Sequence, residues 1–182
     1  MALAEPLTIE DFEKLPYALA LNHELVDGEL VDVSGNTFEH NELRDLILVL
    51  LRPFVEAHGL GKIVSEQDYD FDGNAHGPDV SFVGAGKVGQ LDRKRRVQQF
   101  VPNLAIEIVS QNDRFENLLK KVHRYRICGT KEAWIFSIEM RQAYVYSEQR
   151  KAIRDDNQQF SSDLIPGYSI RLGELFDSID TL

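Results

Sequence analysis

The chain has 182 residues, 43% of them hydrophobic and 27% charged, and a formal net charge of −10. That is the make-up of an ordinary soluble globular protein long enough for one domain with a sizeable core, and no apolar run approaches the roughly 20 residues of a membrane span. A single cysteine, Cys128, excludes an internal disulfide framework and a cysteine-rich zinc site, while the acidic balance argues against nucleic-acid binding through a broad basic surface.

The opening "MALAEPLTIEDFEKLP" has no basic segment followed by an apolar one, so no secretory signal is expected and a cytoplasmic location is. Within it, Thr8 suits the N-cap of a short helix with acids in its first turn, ending at Pro16. "HELVDGELVDVS" alternates around Asp27-Gly28, a strong hairpin signal. From about Thr37 to His58 the period turns helical: Leu43, Leu46, Ile47, Leu50, Leu51 and Phe54 make a wide apolar face, Gly59 suits the stop, and Pro53 predicts a kink or an early end. Three strand-like segments follow, "GKIVSEQDYDF", "PDVSFVG" and "NLAIEIVS", the last two joined by a polar, basic connection. A helix from about Asp113 to Ile127 comes next, then a hairpin of "EAWIFS" and "QAYVYS", and a tail read as a strand and a short helical turn. This order predicts an α+β (mixed α/β) fold: a central mixed sheet flanked by helices, with an N-terminal helix and β-hairpin added.

"DYDFDGNAHGPD", Asp68 to Asp79, has the acid and glycine spacing of a calcium loop. An EF-hand needs helices on both sides and ends in a bidentate glutamate, whereas here strands flank the segment and Asp79 closes it. Glu66, Asp68 and Asp70 alternating along one strand face, followed by a turn at Asp72-Gly73-Asn74, account for the spacing more economically.

Asp79 and Glu107 each stand in an apolar strand segment, where a lone carboxylate is costly unless it is paired, hydrogen-bonded or metal-bound. A strand-end acid paired with an arginine is an equally good reading of Glu107. In the helix after it, Leu118, Val122 and Tyr125 form one stripe; Lys121 lies on its margin and Lys120 points away. Lys121 could extend along the apolar surface toward sheet carboxylates or simply snorkel to solvent, and Arg114 competes for the same place. His40 shares the core face of its helix, which packing alone would explain. His58 and His76 show no ligand pattern, and Cys128 reads as packed at a helix end.

Taken in order, "LTIEDFEKLP", "HELVDGEL", His40, "GPDVSFV", "PNLAIEIVSQNDR", "LLKKVHRYRICGTKEAWIF" and "LIPGYSIRLGELF" resemble the bacterial Uma-type family of restriction endonuclease-like proteins, within the PD-(D/E)XK nuclease superfamily. The resemblance implies one restriction endonuclease-like domain over 1–182, with an N-terminal extension at 1–35, a nuclease-like core at 36–147 and a C-terminal strand and short helix at 148–182. It implies a metal-dependent endonuclease in which Asp79, Glu107 and the Ile108 carbonyl hold Mg²⁺ or Mn²⁺, with Glu66 a further candidate ligand. Lys121 and His40 join Asp79 and Glu107 as catalytic candidates. The usual lysine two residues after the glutamate is Val109 here, so Lys121 would supply the amine from the helix. Ser110, Arg114 and the run Arg93, Lys94, Arg95 and Arg96 are candidates for phosphate contact, although that run reads equally well as a solvated loop. Glu24 matches a family segment with a role that could be structural, and Gln111 replaces a frequent proline. Double-stranded DNA is the implied substrate and a homodimer the implied assembly; the alternative is a nuclease-fold binding or regulatory module without activity.

Overall fold

Thr8 caps α1 (Ile9–Glu13) through a reciprocal capping box with Asp11, as its spacing predicts, in the computed structural model, which describes residues 5–33, 35–110 and 114–179. Pro16 does more than end this helix, because it leads directly into a second single-turn helix, α2 (Tyr17–Ala20). The strands β1 (His23–Val26) and β2 (Glu29–Asp32) form the predicted hairpin, with Asp27 and Gly28 at φ values of 50° and 82°, the positive pair that tight hairpins favour.

Helix α3 (Phe38–Ala57) starts at the Thr37 cap and runs through Pro53 to Ala57, so the early end expected at Pro53 does not occur. Val49, whose carbonyl loses its usual N–H partner to the proline ring, is 68% exposed, and water can take that bond. The segment expected as one strand, "GKIVSEQDYDF", is two: β3 (Gly61–Ser65) and β4 (Asp68–Asp70) belong to different sheets. Glu66, at φ 49°, breaks the chain between them, so Glu66, Asp68 and Asp70 do not alternate along a single strand.

The chain continues through β5 (Ala75–His76), β6 (Val80–Gly84), α4 (Ala85–Val88), β7 (Val97–Gln98), β8 (Leu104–Ile108) and α5 (Phe115–Ile127). The basic connection thus contains a helical turn and a two-residue strand parallel to β4. Asp113, the expected start of α5, and Gln111 lie outside the described residues. β9 (Glu132–Ser137) and β10 (Gln142–Ser147) make the predicted hairpin, and β11 (Lys151–Arg154), which the periodicity did not reveal, extends it. The tail holds β12 (Gln159–Phe160), β13 (Ile170–Arg171) and an eight-residue helix, α6 (Leu172–Ile179).

The larger sheet has the order β11-β10-β9-β8-β6-β3, mixed because β8 and β9 are parallel while the other pairs are antiparallel. On one face, Phe82, Ile106 and Trp134 pack against Leu43, Ile47 and Leu51 of α3 and Phe176 of α6. On the other, Ala133 and Ile135 meet Leu118 and Val122 of α5, and Ala105 meets Tyr125. Each such large side chain, fully buried, contributes about 1.5–3 kcal/mol. The smaller sheet, β2-β1-β5-β4-β7, carries the N-terminal hairpin, with Phe12 and Leu25 packed on Ala75 and Val97. Among the described residues, no helix is long and apolar enough to cross a membrane.

Candidate active site

Strands β6 and β8 pair antiparallel with Val80 opposite Ile106. Asp79 directly precedes β6 and Glu107 follows Ile106 on β8, so the end of this pairing brings the two carboxylates near enough for the Asp79 charge to act on Glu107. The two carboxylates flagged by the sequence therefore converge because of strand pairing. Asp79 Oδ2 accepts the Ile108 N–H at 2.7 Å, which fixes its orientation on the edge of β8. His40 Nε2, from the first turn of α3, lies 3.3 Å from the same oxygen.

Glu107 is buried, and its partners are not arginines. Tyr125 donates its hydroxyl to Oε1 at 2.6 Å, and Lys121 donates to Oε2 at 3.1 Å. The α5 stripe predicted from its period faces the sheet, and Lys121 on its margin turns inward. Its ammonium also lies 2.8 Å from Oε1 of Glu24 on β1. Glu24 in turn accepts from the Gly77 N–H at 3.0 Å and hydrogen-bonds His76 Nδ1 at 2.8 Å. Two buried glutamates thus share one lysine.

The electrostatics follow from this sharing. Burial pushes Glu107 up to about 8, against the pull of Lys121 and with the repulsion of Asp79 and Glu24 added. Burial also works to raise Glu24, but Lys121 and His76 outweigh it and hold that carboxyl down at about 2. Lys121 is disfavoured as a cation by burial, yet Glu107 and Glu24 keep its pKa above the ordinary lysine value. Burial depresses His76 despite its bond to Glu24, and burial with the Glu107 charge raises Tyr125 well above an ordinary phenol. The site holds a charged ammonium against one firmly ionised carboxylate and one easily protonated one.

Other predicted residues are placed differently. Glu66 lies on the rim of the cleft with its side chain 57% exposed and its carboxylate 2.5 Å from Arg44. Ser110 and Arg114 line the cleft, Arg114 as the exposed N-cap of α5. The basic run divides: Arg93 and Lys94 are exposed, Arg95 forms a two-pronged pair with Glu13 at 3.0–3.1 Å, and Arg96 bonds Asp68 at 2.8 Å while stacking on Phe12. Burial raises Asp68 to about 6 despite Arg96. Sequence reasoning missed His76, treated Tyr125 as packing and gave Glu24 no more than a structural role. The "HELVDGEL" segment was the available signal for Glu24; nothing local marked the other two. The calcium-loop spacing dissolves into a turn, with Asp70 Oδ1 accepting the Gly73 N–H at 2.8 Å.

Whether a cation suits this site is a question of donor chemistry. Among the described residues no group of three His, Cys, Asp or Glu side chains is arranged to hold an ion. Asp79 and Glu107 nevertheless offer hard oxygens side by side, and Mg²⁺ commonly takes one or two carboxylates and keeps several waters. The pair fits that ion and would not suit a soft metal that prefers thiolates.

The mixed sheet with helices on both its faces is shared with a solved structure. The chain is similar to a protein of Anabaena variabilis ATCC 29413 whose crystal structure is described as that of a putative nuclease belonging to DUF820; the two share 17% identity over 96% of this chain and 99% of that one, with a TM-score of 0.85. A family model described as "Putative restriction endonuclease", Uma2, matches residues 9–173, and the chain belongs to that family. No curated protein matches it.

Proposed function

We propose that this protein is a divalent-metal-dependent endonuclease that hydrolyses phosphodiester bonds in DNA. The observation that carries the reading is the meeting of Asp79 and Glu107 at the end of the β6–β8 pairing, with the Lys121 ammonium on Glu107. Asp79, Glu107 and the Ile108 carbonyl would hold the cation, which when bound supplies Lewis acidity toward a phosphate oxygen and acidifies a water. To hold the cation, Glu107, whose burial now favours the neutral form, would have to be in its ionised form.

Lys121 acts in this scheme as a charge. Its raised pKa keeps it protonated at neutral pH, so it can stabilise negative charge developing on the phosphate but cannot serve as a base without losing that proton. It stands in for the lysine replaced by Val109. Glu24 holds the ammonium at 2.8 Å, and His76 and the Gly77 N–H hold Glu24. Glu24 and His76 are therefore positioning residues. His40 orients Asp79 through the contact at 3.3 Å.

The test is cleavage of supercoiled, linear duplex and single-stranded DNA with Mg²⁺ or Mn²⁺, followed over time, with EDTA as control. Wild-type cleavage that disappears in both Asp79→Asn and Glu107→Gln is expected. Inactivity of the wild type on all three substrates and with both ions would move the protein to the class of nuclease-fold binding modules.

A further inference from the structure

The cleft in front of Lys121 encloses about 1070 Å³ and has two chemically different sets of lining residues. Along α5 it is lined by Arg114, Asn117, Lys120, Lys121 and Arg124, which recur at the three-to-four spacing of one helix face. Lys121 is committed to Glu24 and Glu107, and Arg124 to Asp27 and Asn74. Arg114 and Lys120 are exposed and make no ion pair among the described residues. From α2, β2 and the residue that follows each, the same cleft receives Tyr17, Leu21, Val31 and Val33, which are 78%, 58%, 42% and 42% exposed. These four side chains put apolar surface beside the charged centre within one cleft.

We infer that the cleft admits a single unpaired nucleic-acid strand, a substrate class that builds on the phosphodiesterase reading of the same site. A strand that is not base-paired offers both surfaces this cleft matches: phosphates for Arg114 and Lys120, and open base faces for the ring of Tyr17 and the aliphatic residues beside it. A duplex keeps its bases stacked inside and turns phosphates outward, so it gives the apolar residues nothing to cover. The charge balance points the same way. Carboxylates lining the cleft outnumber lysines and arginines seven to five, and duplex DNA brings about one negative charge per 1.7 Å of axis. The less densely charged single strand meets less repulsion. A flap, a loop or a strand opened locally presents the same chemistry.

Fluorescence anisotropy on full-length wild-type protein, with a labelled oligothymidine and a labelled duplex of equal length in EDTA, separates binding from cleavage. The oligothymidine is expected to bind at least about tenfold more tightly. Tyr17→Ala should weaken it at least about fivefold, the low end for a lost base–aromatic stack, and leave the duplex unchanged, while Tyr17→Phe should behave as wild type. The exposed position of Tyr17 keeps these substitutions away from the core. Arg114→Ala combined with Lys120→Ala should weaken the single strand further. Equal or tighter binding of the duplex, or a Tyr17→Ala loss common to both ligands, overturns the inference. Single-strand preference in a protein that cleaves nothing supports this inference and defeats the hydrolytic reading; metal-dependent duplex cleavage without such a preference does the reverse.

Discussion

Between Glu24 and Glu107, Lys121 is 2.8 Å from one carboxylate and 3.1 Å from the other, and all three side chains are largely withdrawn from water. Removing one partner of such a buried set costs about 3–5 kcal/mol, because the charge left behind has no compensation. Lys121→Met is therefore expected to lower stability by about 3 kcal/mol and DNA cleavage at least about 100-fold, read from urea midpoints and cleavage rates on the same preparation. Stability lost with cleavage intact would leave Lys121 a purely structural cation. Glu24 makes a different, pH-dependent contribution. Its carboxyl is held at about 2 in the folded protein against a reference of 4.5. A depressed carboxylate pKa contributes stability above the unfolded value, and that stability is lost as pH falls from there toward the folded value. At about 1.4 kcal/mol per pH unit the contribution is roughly 3 kcal/mol. Urea midpoints measured without divalent ions between pH 5 and about 2 should fall more steeply for wild type than for Glu24→Gln. Parallel profiles would mean that other carboxylates govern the acid limb.

The hairpin of β1 and β2 is the element that delivers Glu24, and it depends on Gly28. That residue has φ 82°, and a Cβ there would come within 2.3 Å of the Pro6 Cβ. Gly59, after α3, has φ 63°, and a Cβ added there would meet nothing within 4 Å. Gly59→Ala should cost only the left-handed backbone penalty, about 1 kcal/mol, and leave cleavage unaltered. Gly28→Ala adds the collision, so it should cost more and also reduce cleavage by displacing Glu24; equal midpoints for the two variants would refute this account. Elements such as these were legible in the sequence because their determinants are local. The Thr8 box, the Asp27-Gly28 turn and the faces of α3 and α5 are each set by neighbours within a few positions. Asp79 and Glu107 were legible as acids out of place in apolar strands. What the sequence hid is non-local. The break at Glu66 rests on one left-handed residue and on β3 and β4 joining separate sheets, and the partners of Glu24 lie 52 and 97 positions away, at His76 and Lys121. Tyr125 has the burial of a core aromatic, and only the fold reveals that its hydroxyl reaches Glu107.

At the scale of the whole molecule, which carries a net charge of −10, added salt acts on the fold and on the binding of an unpaired strand in opposite senses. Like charges spread over the surface repel one another in the compact state, and the ion pairs nearest solvent, such as Lys62 with Glu56, are too exposed to offset much of that. Raising NaCl from about 0.05 M to 0.5 M shortens the screening length severalfold, relieving surface repulsion while leaving the buried Lys121 cluster nearly untouched. The thermal midpoint of the protein should therefore rise with salt. Binding of an unpaired strand should weaken over the same range, but only gently. With Arg114 and Lys120 as the two uncommitted cations among the described residues of the cleft, the slope of log affinity against log salt should be about −1.4, from −0.7 for each phosphate neutralised on a single strand. A slope several times steeper would require basic groups elsewhere, with Arg93 and Lys94 the exposed candidates. A thermal midpoint that falls with salt would show that local ion pairs, and not the overall repulsion, dominate the electrostatics of the fold.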